Sequence, residues 1–160
     1  MNMNPLLVRF TMELKTLTQF LPPFLDGFAA WALLLLRIIW GTAMTLHGLP
    51  MVKNPQHWME EGKLPSYPAI WQIIGAFSIF FGGIAIAAGF LTPVAALGLA
   101  GAMAVALFIH LTVFHSVFVK EPYNTPGSTY EPAIIDLAIA IAFVFIGPGI
   151  LSVDYLLFGK

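Results

Sequence analysis

Residues 69–119 read AIWQIIGAFSIFFGGIAIAAGFLTPVAALGLAGAMAVALFIHLTVFHSVFV and contain no Asp, Glu, Lys or Arg. Gly89-Phe90-Leu91-Thr92-Pro93 divides the stretch into two apolar runs, Ala69–Leu91 and Val94–Val119. Each is close to or above the ~20 residues a helix needs to cross ~30 Å of hydrocarbon. The join is so short that the two helices are expected to form a tight antiparallel hairpin. Two further runs flank them, Phe28–Val52 and Ala133–Leu151. The expected fold is therefore all-α, an integral membrane four-helix bundle. A soluble bundle would carry a polar stripe on each helix. Ala133–Leu151 instead contains one charge, Asp136, and Val94–Val119 none beyond His110 and His115.

Composition points the same way. Of 160 residues, 59% are hydrophobic and 9% charged, against roughly 25% charged in an average soluble domain. Four spans leave room for one small bundle and no separate soluble domain. The net charge of -1 argues against nucleic acid as a partner. With no Cys, thiol exchange, disulfides and Cys-bound metal are excluded.

Residues 1–27 are expected to form a separate segment. Arg9, Glu13 and Lys15 interrupt them, and no small-residue cleavage site follows a clean apolar core, which argues against a signal peptide. Leu7, Phe10, Leu14, Leu17 and Leu21 share one helical face, with Arg9, Glu13 and Thr16 on the other. This pattern predicts an amphipathic helix lying in the membrane interface, stopped by Pro22-Pro23. Residues 28–160 then form the four-span domain.

Between the first two spans, Pro50–Pro68 is the polar loop. Asn54 followed by Pro55 predicts the start of a short surface helix with Gly62 at its end. Lys120–Pro132 joins spans three and four, and Gly147-Pro148-Gly149 stops span four. Gly75, Gly82 and Gly89, seven apart, with Gly98 and Gly101 beyond, are expected to let helices approach closely. Four spans put both termini and the hairpin on one side. Lys and Arg are shared equally between the two sides, so charge does not orient the chain.

In lipid an unsatisfied polar group is costly, so the few polar residues within the spans are the candidates for function. Counting ~1.5 Å per residue from the terminal side puts Arg37 ~14 Å deep, near mid-membrane. The same count puts His47 at ~28 Å and His110 at ~26 Å, in one layer near the loop side. Gln72, Glu131 and Asp136 fall within a turn or two of that layer. Each has a plainer reading: Arg37 fixing helix packing, either His bonding a neighbouring helix, Glu131 favouring a helix start. Asp136 is hardest to explain that way, being a carboxylate about one turn below the interface.

Three chemistries could use such a layer. A quinone headgroup needs hydrogen-bond partners and a proton route. Haem b would need two His on facing helices at one depth, for which His47 and His110 qualify less strongly. A proton-coupled carrier would use the carboxylates with His as relay. The pattern contains no metal-ligand spacing, P-loop or dinucleotide fingerprint.

Four segments in order resemble the DoxX family of small four-span membrane proteins, from about Leu33 to Leu157. They are Leu-Leu-Arg37-Ile-Ile-Trp-Gly41 with Leu-His47-Gly48-Leu-Pro50, then NPQHWMEEGKLP in residues 54–65. The glycine-rich hairpin and YEPAIIDLAIAIAFVFIGPGILSVDYLL in residues 130–157 follow. The last keeps Glu131, Gly147, Pro148, Gly149, Ser152 and Asp154 in the family's pattern. Where the family often has Lys after "HG-x-P" and Glu early in span two, this chain has Met51 and Gln72.

The resemblance implies the four-span fold and a multi-pass protein of the bacterial inner (plasma) membrane. It implies a job less directly, because one branch of the family is the membrane subunit of a thiosulfate:quinone oxidoreductase, other members associate with redox-stress enzymes, and distant relatives act as cargo receptors. Together with the polar layer, it implies a quinone-linked oxidoreductase subunit. His47, His110 and Asp136 would act on the headgroup, and Gln72, Glu131 and Arg37 would hold it. The alternative of a different class is a non-catalytic anchor or assembly subunit. Expected partners are the lipid bilayer and other protein subunits or further copies of the chain.

Overall fold

The computed structural model describes residues 24–61, 67–120 and 128–159. The expected interfacial helix lies outside the described residues up to Pro23, as do Gly62 and Lys63. Six helices follow in order: α1 Gly27–Lys53, α2 Trp58–Glu61, α3 Ala69–Ala88, α4 Thr92–Thr112, α5 Glu131–Ile146 and α6 Val153–Phe158. Among the described residues there is no strand, only an isolated parallel bridge between Val117 and Thr129. Three helices, α1, α3 and α4, are long and apolar enough to cross a membrane.

The long helices pack in chain order, α1 on α3, α3 on α4 and α4 on α5. Their shared core includes Leu33, Trp40, Ile86, Leu99, Ala140 and Phe143. The outer faces remain apolar, with Phe28, Trp31, Leu97, Phe108 and Phe145 all more than half exposed. In water such faces would associate; in lipid they are the solvated surface.

Several limits differ from those expected. The first helix matches the expected run Phe28–Val52 to within a residue at each end, so the connecting loop begins after Lys53 instead of at Pro50. Pro50 lies in the final turn, where losing one backbone donor is tolerated more readily than mid-helix. The surface helix is a single turn, Trp58–Glu61, preceded by a turn in which His57 N–H bonds Asn54 O at 3.2 Å. The third span ends at Thr112 instead of Val119. His115 has φ +47° and Ser116 N–H returns to His110 O, so the apolar residues 113–119 form a turn. The fourth helix ends at Ile146, where the Gly147-Pro148-Gly149 stop was expected, and Gly147 and Gly149 take positive φ on either side of Pro148.

The hairpin between α3 and α4 is as tight as its sequence implies. Gly89 takes φ +69°, and its own N–H and that of Phe90 bond Ile86 O and Ala85 O. This left-handed glycine stop satisfies carbonyls that the helix end would leave open.

Of the glycines expected to let helices approach, Gly82 does so, and the closest approaches fall at three others. A Cβ on Gly41 would lie 2.6 Å from Ala87 N, one on Gly83 2.5 Å from Thr45 N, and one on Gly48 2.7 Å from Phe80 N. These three let the α1 and α3 backbones touch. Gly82 meets Leu99 of α4 at 3.0 Å. Gly75 has nothing nearer than Trp58 at 3.8 Å, Gly98 only Ser78 at 4.0 Å, and Gly101 faces open space. Seven-residue spacing marks a face; it does not say which face meets a neighbour.

Candidate functional site

These glycine contacts also fix the register between helices. Gly48 lies against Phe80, and Gly82 against Leu99. His47 is therefore level with the middle of α3 and the stretch of α4 near Gly101. His110 sits some nine residues further along α4, which is about 14 Å of helix. The two histidines do not share a layer. The depth count placed every helix start on one plane, whereas α1 begins about ten residues beyond the level of the hairpin.

Each expected residue has a definite setting. His47 is exposed and, among the described residues, makes no hydrogen bond, ion pair or ring contact. His110 is half-buried, with Nδ1 3.2 Å from Ser116 Oγ, which is itself 2.9 Å from Ser128 Oγ. This chain ties the end of α4 to the segment leading into α5. Glu131 opens α5 and is half-buried.

Gln72 is 1% exposed and fully engaged. Its Oε1 accepts from Met59 N–H at 3.2 Å, and its Nε2 donates to Tyr67 O at 2.8 Å. Its backbone carbonyl accepts from the Trp58 indole at 3.0 Å. Gln72 thus holds the α1–α3 connection onto α3.

Asp136 is half-buried and accepts the Trp40 indole N–H at 2.8 Å. The Trp40 ring also stacks on Phe143, centroid to centroid 5.5 Å. Asp136 and Phe143 are seven apart, two helical turns, and so present one face of α5 to Trp40.

The most developed polar centre lies at the hairpin end. Arg37 is 1% exposed and donates to Pro148 O at 2.7 Å and to Leu151 O. Asp154, 5% exposed, accepts from Leu91 N–H at 2.7 Å and Thr92 N–H at 3.0 Å. Its own N–H bonds Gly89 O at 2.9 Å. A carboxylate from the C-terminal segment therefore caps α4, where helix donors and dipole favour negative charge. Leu91, a non-glycine at φ +46°, is held in place by this bond. Ser152 accepts from Tyr155 N–H at 3.1 Å and so caps α6. Arg37 thus lies level with the hairpin rather than mid-bundle. Asp154 was legible only as part of the "GPG…S-V-D" ending, and periodicity did not mark it.

These placements bear on cofactors. Haem b requires two histidines facing each other at one depth, and His47 and His110 do not fit. The six residues expected around a quinone headgroup do not form one site either, because Gln72 and Arg37 are committed to backbone partners and His110 to a loop. Among the described residues the side chains of His47 and Glu131 make no hydrogen bond or ion pair, and Asp136 makes one, to the Trp40 indole. Two shallow apolar clefts, one between α3 and α4 around Phe77, Phe81 and Gly98, the other around Ala88, Leu151 and Leu156, are lined by none of the six.

Long apolar helices with lipid-ready outer faces, closed at one end by a buried Arg–carbonyl knot, define a small helical membrane protein. The sequence model of the DoxX family matches residues 32–112, just over half the chain, and the protein belongs to that family. No curated protein and no solved structure matches it.

Proposed function

We propose that the chain crosses the bacterial inner membrane four times and serves as a non-catalytic anchor or assembly subunit of a larger complex. The observation that carries this reading is how the buried polar groups are spent. Arg37, Gln72 and Asp154 each bond backbone groups of their own chain. A site for a reacting molecule needs polar atoms left free to bind it. The fourth crossing would be α5, whose 16 residues span about 24 Å. Exposed Ile135, Ile141 and Phe145 support that placement.

Purification in mild detergent tests the proposal. The chain should bring down one or more protein subunits in fixed ratio and yield no quinone on organic extraction. Recovery of a lone chain carrying stoichiometric quinone would defeat it.

A quinone-linked oxidoreductase subunit remains a second reading, favoured by one observation. Asp136 is a half-buried carboxylate with a single hydrogen bond among the described residues, that from Trp40. Together with exposed His47 it could bind and exchange a proton with a headgroup arriving from the lipid. Unchanged redox activity of host membranes carrying His47→Ala and Asp136→Ala would remove this reading.

A further inference from the structure

Asp136 accepts the Trp40 indole N–H on Oδ1, and among the described residues its side chain makes no other bond. Its Oδ2 is left over. Among the described residues, the buried side-chain polar atoms without a partner are Arg37 Nε and Thr92 Oγ1. Asp136 Oδ2 is therefore not sealed within the bundle; it reaches the surface of the half-buried residue. That surface is the seam between α1 and α5, which are not principal packing neighbours and meet through the Trp40 and Phe143 rings. Leu36, Ala43 and His47 share the Trp40 face of α1, and all three are exposed. Trp40 is the middle residue of α1, with either end about 20 Å away. A carboxylate oxygen thus opens onto a lipid-facing seam at the middle of a span, where an ionisable group is costly unless paired.

The described helices do not supply the countercharge. There is no Lys or Arg in α3, α4 or α5. Lys53 lies at the far end of α1, and Arg37 is buried on the Pro148 and Leu151 carbonyls. A second copy of the chain would bring the same helices and the same shortage. We propose that the α1–α5 seam receives a transmembrane helix of a different subunit, whose Lys or Arg pairs with Asp136. The inference rests on the reading of the chain as an anchor or assembly subunit, and it names the chemistry of the partner. Each charge is costly alone in hydrocarbon, and pairing relieves both, so one contact selects the partner and its register. The Trp40 N–H on Oδ1 fixes the carboxylate and leaves Oδ2 for the cation. Exposed Ala43, one turn from Trp40, is small enough to let a helix backbone come close.

The probe is a synthetic helix of about 21 Leu and Ala residues with one central Lys and a Cys beside it. Its twin carries Leu in place of the Lys. Each is mixed into lipid vesicles holding the full chain, which has no Cys of its own and so accepts single reporters at Ala43→Cys or Gly101→Cys. Gly101 faces open space on α4 and serves as the control. Disulfide formation at Ala43→Cys should be about tenfold or more greater with the Lys helix than with its twin, and equal for the two at Gly101→Cys. Adding Asp136→Asn, which keeps an acceptor for Trp40, should erase that preference, and Asp136→Glu should retain it. Equal cross-linking of both helices at Ala43→Cys, or a preference that survives Asp136→Asn, would overturn the inference. So would loss of the preference alongside binding of a short-tailed quinone that Asp136→Asn abolishes, which would give the carboxylate to a headgroup. Should Asp136→Asn fail to fold, the comparison of Lys and Leu helices on the otherwise unchanged chain decides. Failure on these measurements leaves the anchor reading standing, because that reading is decided by whether subunits co-purify with the chain.

Discussion

The indole N–H of Trp40 donates to Asp136 Oδ1 at 2.8 Å, joining α1 and α5, which are not principal packing neighbours. Trp40 thus closes the bundle between its first and last long helices, with Phe143 stacked on the same ring. Both candidate roles of Asp136, structural tie and proton-bearing group, meet at this bond.

Substitution separates the two roles. Asp136→Ala would leave a buried indole donor unpaired, a loss of about 1–3 kcal/mol. Asp136→Asn keeps an acceptor oxygen and should cost less than half of that. Thermal unfolding in detergent, followed by tryptophan fluorescence, reads the difference. Equal melting temperatures for wild type, Asn and Ala variants would show that the bond contributes nothing to closure.

Removing the α4 cap should be more damaging. Asp154→Ala strips the charged acceptor from Leu91 and Thr92 N–H. A hydrogen bond to a charged group contributes about 1.5–3 kcal/mol, and two are lost here. Asp154→Asn, neutral but still able to accept from one of the two N–H groups, should fall between. Chemical unfolding in mixed micelles measures both, and an Ala variant as stable as wild type would contradict the cap.

The contrast between these two carboxylates bears on what the sequence can disclose. The spans were legible because hydropathy is nearly the whole signal for a helix in lipid. The end of the third was not, because an apolar run says nothing of conformation. Residues 113–119 are as apolar as those before them, yet turn at His115. Depth failed for a related reason, since one helix does not disclose its register against the next. Asp136 could be singled out as an isolated charge inside a span. Asp154 follows a glycine-proline break, in an ordinary position for an exposed acid, and only the return of the chain onto the hairpin buries it.

Helix approach gives a sharper test of that register. Adding a methyl at Gly41 or Gly83 drives it into the backbone of the facing helix, at 2.6 Å and 2.5 Å. Gly41→Ala and Gly83→Ala should each destabilise by about 1–3 kcal/mol, the usual range for overpacking. Gly101→Ala meets open space and should be neutral or gain up to ~1 kcal/mol from helix propensity. Melting temperatures of the three variants in one detergent should therefore split two against one. Equal losses at all three would mean that α1 and α3 do not pack through these glycines.

Gln72 offers the clearest separation of a binding role from a structural one. Its side-chain amide accepts from Met59 N–H and donates to Tyr67 O, clamping both ends of the connection between α1 and α3. Gln72→Leu preserves bulk but removes both bonds, so amide exchange at Met59 should accelerate by about tenfold, the equivalent of ~1.4 kcal/mol of lost protection. The Trp58 indole bonds the Gln72 backbone carbonyl, which the substitution leaves in place, so Trp58 serves as an internal control. Gln72→Glu keeps the acceptor for Met59 but loses the donor to Tyr67, and should protect Met59 better than Leu does. Exchange at Met59 that ignores both substitutions, with a change in quinone-dependent activity instead, would move Gln72 from the clamp to a headgroup site.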